Sequence, residues 1–383
     1  MRNKEYVIMP DIIKKPLKYT TAFIKHNAVL CIAAVLSLVT CLIIPPDAEY
    51  IEYFDFKTLT CLFCTLAVVC ALKNIHFFTI IARTIVKKSG TLRTAVITLI
   101  FITFFGSMLI ANDMALLTFL PLGYYTLSTA KKEEYMAYTF ILQNIAANLG
   151  GMLTPFGNPQ NLYLYTKFNI PTHEFIKIMF LPFIAATVMI LICCMFIKKE
   201  KIVLDTENDE RIPPLRASFY LILFALSIII VFRVIPYWIG LIIIFVCLMV
   251  ADRKAIAKVD YSLLGTFVCM FIFAGNMSRK ELIQEILSSL LEKNTLISSV
   301  LSCQIISNVP SAVLLSQFTD NYFDLLRGVN IGGTGTLIAS LASLITFKEY
   351  TNRNPEKTTS YVVKFSVINF IFLFILLFIC SFN

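Results

Sequence analysis

Two asparagines in apolar surroundings carry much of the chemistry open to this chain. Asn112 stands in Ala111-Asn112-Asp113-Met114 and Asn308 in Ser307-Asn308-Val309-Pro310, each between two apolar arms. A side-chain amide offers a carbonyl acceptor and two N–H donors, so one residue can serve a cation and an oxyanion together. Each asparagine also has a plainer role, capping the helix that follows it, and capping is compatible with ligation. Asp113 is the one acidic residue near the centre of an apolar run. A carboxylate centred in a bilayer costs about 2.5–3.5 kcal/mol on insertion scales, so Asp113 should face the protein interior. There it can carry a proton, hold a cation, or cap a helix.

A further polar pattern is written twice. Asn148-Leu-Gly-Gly-Met-Leu-Thr-Pro-Phe-Gly-Asn-Pro-Gln-Asn-Leu162 and Asn330-Ile-Gly-Gly-Thr-Gly-Thr-Leu-Ile-Ala-Ser-Leu-Ala-Ser-Leu344 both read Asn-x-Gly-Gly, five residues, Gly or Ala, Asn or Ser, two residues, Asn or Ser, Leu. Singly, Gly150-Gly151 and Gly332-Gly333 would read as close helix packing. Repeated with the distal Asn/Ser pattern, they read as unwound helix. Lipid cannot satisfy the backbone groups so freed, and broken helices at corresponding positions of two halves point to a transporter's binding site. Pro155 and Pro159 strengthen the first break, whereas the second has no proline and should be less fully broken.

These elements need a scaffold that brings them together. Of the 383 residues, 58% are hydrophobic and 15% charged, and the mean hydropathy is +0.78. That is far too apolar for a soluble domain of this length. Apolar runs of the length needed to span a bilayer, some marginal, lie at about 27–45, 56–73, 134–165, 174–197, 216–233, 236–251, 260–277, 331–347 and 360–381. Residues 94–128 and 295–326 differ, being paired arms that meet at Asn112 and at Asn308. Lys87, Lys88 and Arg93 precede the first pair and Lys131 and Lys132 follow it, so both ends prefer the cytoplasm and the hairpin should re-enter.

The expected fold is an all-α polytopic membrane protein, an inverted-topology repeat with about nine spans, two re-entrant hairpins and two broken helices. Residues 1–26 form a cytoplasmic N-terminal segment. Residues 27–197 are the first repeat, with a cytoplasmic-side hairpin at 94–128 and a broken helix at 134–165. Residues 198–235 are a cytoplasmic linker and a connecting span, and 236–383 are the second, inverted repeat, with an external-side hairpin at 295–326 and a broken helix at 331–347. Asp55-Phe-Lys-Thr-Leu and Asp260-Tyr-Ser-Leu-Leu give a faint third match between the halves. Segments 74–92 and 279–294, just before each hairpin, read as amphipathic interface helices.

Other readings are weaker. The net charge of +9 sits in short loops beside apolar runs and sets orientation in the membrane; it gives no sign of nucleic acid. Most of the 11 cysteines lie inside apolar runs, and Cys61-x-x-Cys64 lacks a second pair for a metal. Arg233, Arg327 and Lys364 should snorkel from span ends, and His76 should be interfacial. No phosphate-binding loop is present and no cofactor is expected.

The chain resembles the ion transporter superfamily, specifically the citrate-transporter-like group that includes divalent anion:sodium symporters, arsenite permeases and D-type sodium/proton antiporters. The resemblance covers about residues 20–383 and rests on Asn112-Asp113, on 150–161, on Ser307-Asn-Val-Pro-Ser311 and on Gly332-Gly-Thr-Gly-Thr336. It implies a scaffold that usually dimerises and a transport unit of hairpins and broken helices that moves as an elevator. It also implies sodium at Asn112 and Asn308, helped by Ser307. Ala111 replaces the first hairpin serine of the dicarboxylate branch, and Asp113 and Val309 replace its threonines. Asn followed by Asp is closer to the arsenite and antiporter branches.

The expected activity is therefore secondary active transport of a small anion, of citrate or dicarboxylate type, coupled to sodium or protons. Arsenite permease and sodium/proton antiporter are the alternatives within this class, and an ion channel is the alternative outside it. An enzyme is not expected. Partners are the small-molecule or ion substrate, the lipid bilayer and a second copy in a homodimer. The expected location is the bacterial plasma membrane, with the N-terminus cytoplasmic and the C-terminus external. The expected substrate and ion site comprises Asn112, Asp113, Gly150, Thr154, Gly157, Asn158, Asn161, Ser307, Asn308, Gly332, Thr336 and Ser340.

Overall fold

The computed structural model describes residues 27–202 and 211–382. The basic N-terminal segment, the middle of the linker and Asn383 lie outside the described residues. The protein is an all-α polytopic membrane protein. Among the described residues six helices are long and apolar enough to cross a membrane.

The first half opens with α1 (Ala28–Ile43), α2 (Phe56–Asn74) and the short α3 (Phe77–Lys87). A hairpin follows, α4 (Leu92–Ile110) and α5 (Asn112–Thr129), then α6 (Met136–Gly150) and α7 (Pro159–Lys167) on either side of a break, then α8 (Thr172–Met195). A connecting helix, α9 (Pro214–Val231), leads to the second half. There α10 (Tyr237–Ala251), a single turn α11 (Arg253–Ala257), α12 (Tyr261–Ser278) and α13 (Glu281–Lys293) precede the hairpin of α14 (Thr295–Ile306) and α15 (Asn308–Leu315). The second break separates α16 (Tyr322–Ile331) from α17 (Leu341–Thr351), and α18 (Thr358–Ser381) closes the half.

Local chemistry explains where these helices start. Asp55 accepts the Thr58 N–H at 2.9 Å and Asp260 accepts the Leu263 N–H at 3.0 Å, so the faint Asp match marks equivalent N-caps of α2 and α12. Both hairpins turn on one residue of positive φ, Ala111 at 61° and Ser307 at 75°. Non-glycine residues seldom adopt that conformation, and it costs about 1–3 kcal/mol unless surrounding contacts hold it. In α3 and α13 the stripes Ile81, Ile85 and Leu282, Ile286, Leu290 are left uncovered by protein, as a helix lying in a lipid interface requires.

Packing separates two groups of helices. Helices α1, α2, α9, α10 and α12 pack on one another, as do α4 to α8 with α14 to α18. Within each group the halves exchange partners. Helix α1 packs on α12 and α10 on α2; α5 packs on α17 and α15 on α7.

Two expectations change in detail. The arms of the second hairpin have 12 and 8 residues, shorter than the run 295–326 suggests, because α15 ends at Leu315 and a turn follows. The first arm of the other hairpin has 19 residues and is itself among the six helices long enough to cross. Its tip nevertheless stops beside the breaks, at Asn148.

Candidate substrate and ion site

The two hairpin tips are built alike. Asn112 Oδ1 accepts the Asp113 N–H and Asn308 Oδ1 accepts the Val309 N–H, each at 2.9 Å, so each asparagine satisfies one free amide in the first turn of its arm, while the N-cap positions, Ala111 and Ser307, make no side-chain cap. Their other contacts differ. Asn112 Nδ2 donates to Asn148 Oδ1 at 3.1 Å, whereas the Asn308 N–H donates to the Ala339 carbonyl at 2.9 Å. The Ser307 hydroxyl, 3.3 Å from the same carbonyl, adds a second donor there.

Each break has freed carbonyls satisfied chiefly by one amide side chain, but from opposite directions, and in the first Asn158 Nδ2 adds a bond to Asn148 O at 3.1 Å. In the first, Asn161 Nδ2 lies 3.2–3.3 Å from the carbonyls of Gly151, Met152 and Thr154. In the second, Gln304 reaches in from α14: its Nε2 lies 2.9 Å from Gly332 O and 3.1 Å from Thr334 O, and its Oε1 accepts the Thr336 N–H at 2.8 Å. The expectation that the second break would be less complete is corrected. Helix stops at Ile331 and resumes at Leu341, with Gly335 at φ 113°, while the first break keeps a 3-10 turn over Gly151–Leu153. Proline is unnecessary where a glutamine offers the freed groups partners.

The breaks are also tied to each other across the repeat. Ser340 Oγ donates to Asn148 Oδ1 at 2.8 Å, and the counterpart Asn158 Nδ2 lies 3.3 Å from Asn330 Oδ1. Asn330 Nδ2 donates to Asn161 Oδ1 at 2.6 Å, and Asn144 Nδ2 to Ser343 Oγ at 3.3 Å. Gln160 Nε2, 3.4 Å from Asn330 Oδ1, extends the same cluster.

A cavity of about 1100 Å³ ends on this assembly. Asn112, Asp113, Ser307, Asn308 and Ser340 line it, together with Gln160. Lys73, Arg83, Lys258 and Lys348 line it as well, with Asp260 and Glu349 as the acidic members. Lys73 and Lys348 stand in the last turns of α2 and α17, and Lys258 directly follows α11.

Of the residues expected at the site, the other seven do not line this cavity. Gly150, Thr154, Gly157, Asn158, Asn161, Gly332 and Thr336 form the layer behind it. The hydroxyls of Thr154 and Thr336 fasten the breaks to the hairpins, on Met108 O at 2.9 Å and Gln304 O at 3.2 Å. Gly150 and Gly332 allow close approach: a Cβ on the first would meet the Phe104 carbonyl and the Ser107 hydroxyl, and on the second the Gly328 carbonyl and Cys303. Asn148, Asn330 and Gln304 were not among the expected site residues. The first two open the duplicated motif, which is the signal for them; Gln304 has no such signal.

Among the described residues, the buried acceptors of the first half that have no donor include Asp113 Oδ1, Asn158 Oδ1 and Gln160 Oε1. A buried acceptor without a partner costs about 1–3 kcal/mol, which a proton or a cation would offset. Arg327 departs from the snorkelling expectation: it is 3% exposed, stacks 4.1 Å from the Phe323 ring centre and donates to Ile178 O at 3.2 Å. His76 contributes to the cavity wall.

Residues 13–322 match the family described as Citrate transporter. An uncharacterized transporter of Methanocaldococcus jannaschii is 35% identical over 306 residues, 78% of this chain and 82% of that protein. The inner membrane protein YbiR of Escherichia coli is 29% identical over 290 residues, 72% of this chain and 75% of its own. These relationships describe a transporter and not an enzyme. A match over most of the chain, on a polytopic helical scaffold with paired hairpins and paired breaks, makes the protein a membrane transporter belonging to the citrate transporter family.

Proposed function

We propose that this transporter is a secondary active carrier of a small anion of citrate or dicarboxylate type, driven by sodium ions or protons. The observation that carries the proposal is the cavity itself, with basic residues along its wall and hairpin-tip amides and hydroxyls at its end. Lysines and an arginine in a low-dielectric cleft concentrate anions, and the Asn308 amide with the second N–H of the Asn112 amide supplies donors for oxygens. Asp113 then takes the proton or helps hold the cation. A single charge moving down 100 mV supplies about 2.3 kcal/mol, enough for useful accumulation without ATP.

Elevator-type alternating access is the motion we infer. In this reading α1, α2, α9, α10 and α12 are the fixed scaffold, through which a homodimer would form, and the group holding both hairpins moves. Residues 27–197 and 236–383 act as inverted repeats. The contact between the groups includes Tyr163 set against Phe267 and Phe271, ring centres 6.2 and 5.6 Å away, an apolar surface that can slide, and the Arg233 bond to the Tyr165 carbonyl, which must break. Lys73, Lys258 and Lys348 line the cavity, and if the charge bias sets their helix ends on the cytoplasmic side, this is the inward-facing state of that motion.

A second reading, sodium/proton exchange, is favoured by one observation. Position 113 is a carboxylate and position 309 a valine, so neither second hairpin-arm residue offers a hydroxyl to a substrate carboxylate. Proteoliposomes decide between the readings. Uptake of radiolabelled citrate or succinate driven by an imposed Na⁺ or H⁺ gradient is expected for the carrier. Proton movement on Na⁺ addition without any anion identifies the exchanger, and ion flux far above carrier turnover would overturn both in favour of a channel.

A further inference from the structure

Gln304 stands four residues before the tip of the second hairpin and does not line the cavity. It nonetheless holds the unwound backbone at three points, Gly332 O, Thr334 O and Thr336 N, and its own carbonyl accepts the Thr336 hydroxyl. Gly335 brings the chain so close, at φ 113°, that a Cβ there would run into the Gln304 amide. One side chain thus replaces the helical bonds that 332–336 have lost. The first half works differently. Its residue four before the tip is Met108, whose side chain has no N–H to donate, and its break is held instead by Asn161 from the far side. The counterpart of Asn161 in the second half is Ser343, whose hydroxyl accepts from Asn144.

The tips repeat this asymmetry. Asn308 N–H bonds to Ala339 O, while among the described residues no corresponding bond joins Asn112 N–H to Gly157 O. Gln304 therefore ties hairpin and break together through four bonds, where the first half has the Thr154 hydroxyl on Met108 O and the Asn112 amide on Asn148.

We propose that Gln304 is a positioning residue for transport: by binding residues 332–336 to the first arm of the second hairpin, it makes that hairpin and break one rigid half of the site. The first half is then the adjustable one. The proposal rests on the carrier reading above, and Gln304 acts through Ala339 and Ser340, whose positions the clamped segment sets.

Hydrogen exchange on the purified full-length protein tests it without a substrate. In Gln304→Met, exchange within 332–340 is expected to rise about ten-fold, from loss of the bonds that close this segment, with 151–158 unchanged. Adding Ser343→Asn, the solution of the first half, should restore protection. Gln304→Glu, isosteric and still able to accept from Thr336 N–H, should give an intermediate rise and serves for both measurements if the Met variant does not fold. In proteoliposomes the KM for citrate should rise several-fold with maximal rate per folded protein retained, and the double variant should reverse it. Wild-type exchange in 332–340, or equal acceleration in both breaks, overturns the proposal. Absence of citrate uptake by the wild type would overturn the citrate assignment alone, since the exchange result still decides the role of Gln304.

Discussion

The Ser340 hydroxyl donates to Asn148 Oδ1 at 2.8 Å, joining the end of one break to the start of the other, 192 positions away. Its symmetry mate, Asn158 Nδ2 on Asn330 Oδ1 at 3.3 Å, makes the same connection in reverse. Two broken helices are thus cross-tied by the very residues that flank their unwound segments. The pair gives the freed backbone a dry, shared support, which neither half could provide alone where lipid offers no hydrogen bonds.

Asn330 is the more heavily bonded of the two supports. It accepts from Asn158 and Gln160 and donates to Asn161 Oδ1 and Leu326 O. Removing it orphans several buried amides, each worth about 1–3 kcal/mol, although hydrogen bonds within membranes average nearer 0.6 kcal/mol. Asn330→Ala is therefore expected to destabilise the protein by about 2–4 kcal/mol, with Asn148→Ala close behind. Thermal unfolding in detergent checks this; an unchanged midpoint for both would mean the cross-ties carry no stability.

Asp113 is expected to be indispensable to coupling. Its Oδ1 is buried without a donor beside the cavity, so the carboxylate needs a proton or a cation to be comfortable there. Asp113→Asn keeps the shape and removes the charge. Transport in proteoliposomes should be lost or become independent of the driving ion, and wild-type ion dependence in this variant would remove Asp113 from the mechanism.

Asn112→Ala and Asn308→Ala should weaken cation dependence unequally. Each loses one side-chain bond to a first-turn amide, worth about 0.5–1.5 kcal/mol, but the residue at 308 keeps its backbone bond to Ala339 whereas Asn112 reaches the breaks through its side-chain amide on Asn148. Asn112→Ala is accordingly expected to raise the half-saturating Na⁺ or H⁺ concentration more, about ten-fold against a few-fold. Thermal stabilisation by the ion gives a second readout, and its absence in the wild type for Na⁺ would leave protons as the coupling ion.

The parts visible in the sequence were those whose residue types have few other uses. Paired glycines followed by Asn or Ser at fixed spacing have little reason to recur in apolar helices unless the backbone opens, and both breaks fall inside the repeated motif. Hairpin tips were legible for the same reason, since Asn112 and Asn308 interrupt otherwise apolar arms. Gln304 was not, because a single glutamine in a helical arm fits many environments and only the fold brings it to Gly335. Nor could spacing separate cavity from support: Thr154, Asn161 and Thr336 have the chemistry of ligands, yet the chain turns them toward its own carbonyls. Arg327 is buried although it stands near a span end, because sequence position does not reveal which face of α16 packs against α8.

Arg279 fastens the loop before α2 to the end of α12. Its guanidinium lies 2.8 Å from Asp47 and 3.4 Å from Glu49 and donates to Tyr53 Oη at 3.1 Å. The Arg279 hydrogen bond holds the Asp47 carboxyl below the usual carboxylate range. A depressed folded pKa means the contribution is complete above the unfolded value of about 4 and is lost as pH falls through the folded one. Protection of residues 45–55 from exchange or proteolysis should therefore stay constant from pH 8 to 5 and decline below about pH 4. Asp47→Asn should remove that acid-dependent loss; a decline unaltered by this substitution would assign it elsewhere.

Arg233 connects the two helix groups directly. Lying in the turn between α9 and α10, it donates to the Tyr165 carbonyl and stacks 4.1 Å from the centre of the Tyr165 ring, at the C-terminal end of α7. A cation is favoured at that end of a helix, and cation–π contacts add about 0.5–2 kcal/mol. Because α7 belongs to the group proposed to move and Arg233 to the fixed one, the contact must break for the groups to slide. Arg233→Ala should then lower the population of the present state relative to the outward one by a factor of about 2–30, the same energy expressed as an equilibrium. Single-cysteine accessibility at the cavity wall, read from both sides of the membrane in reconstituted protein, measures that shift. Arg233→Lys, which keeps the charge but loses the planar stacking, should fall between the two; identical accessibility in all three would show that this contact stays closed throughout the cycle and that the sliding boundary lies elsewhere.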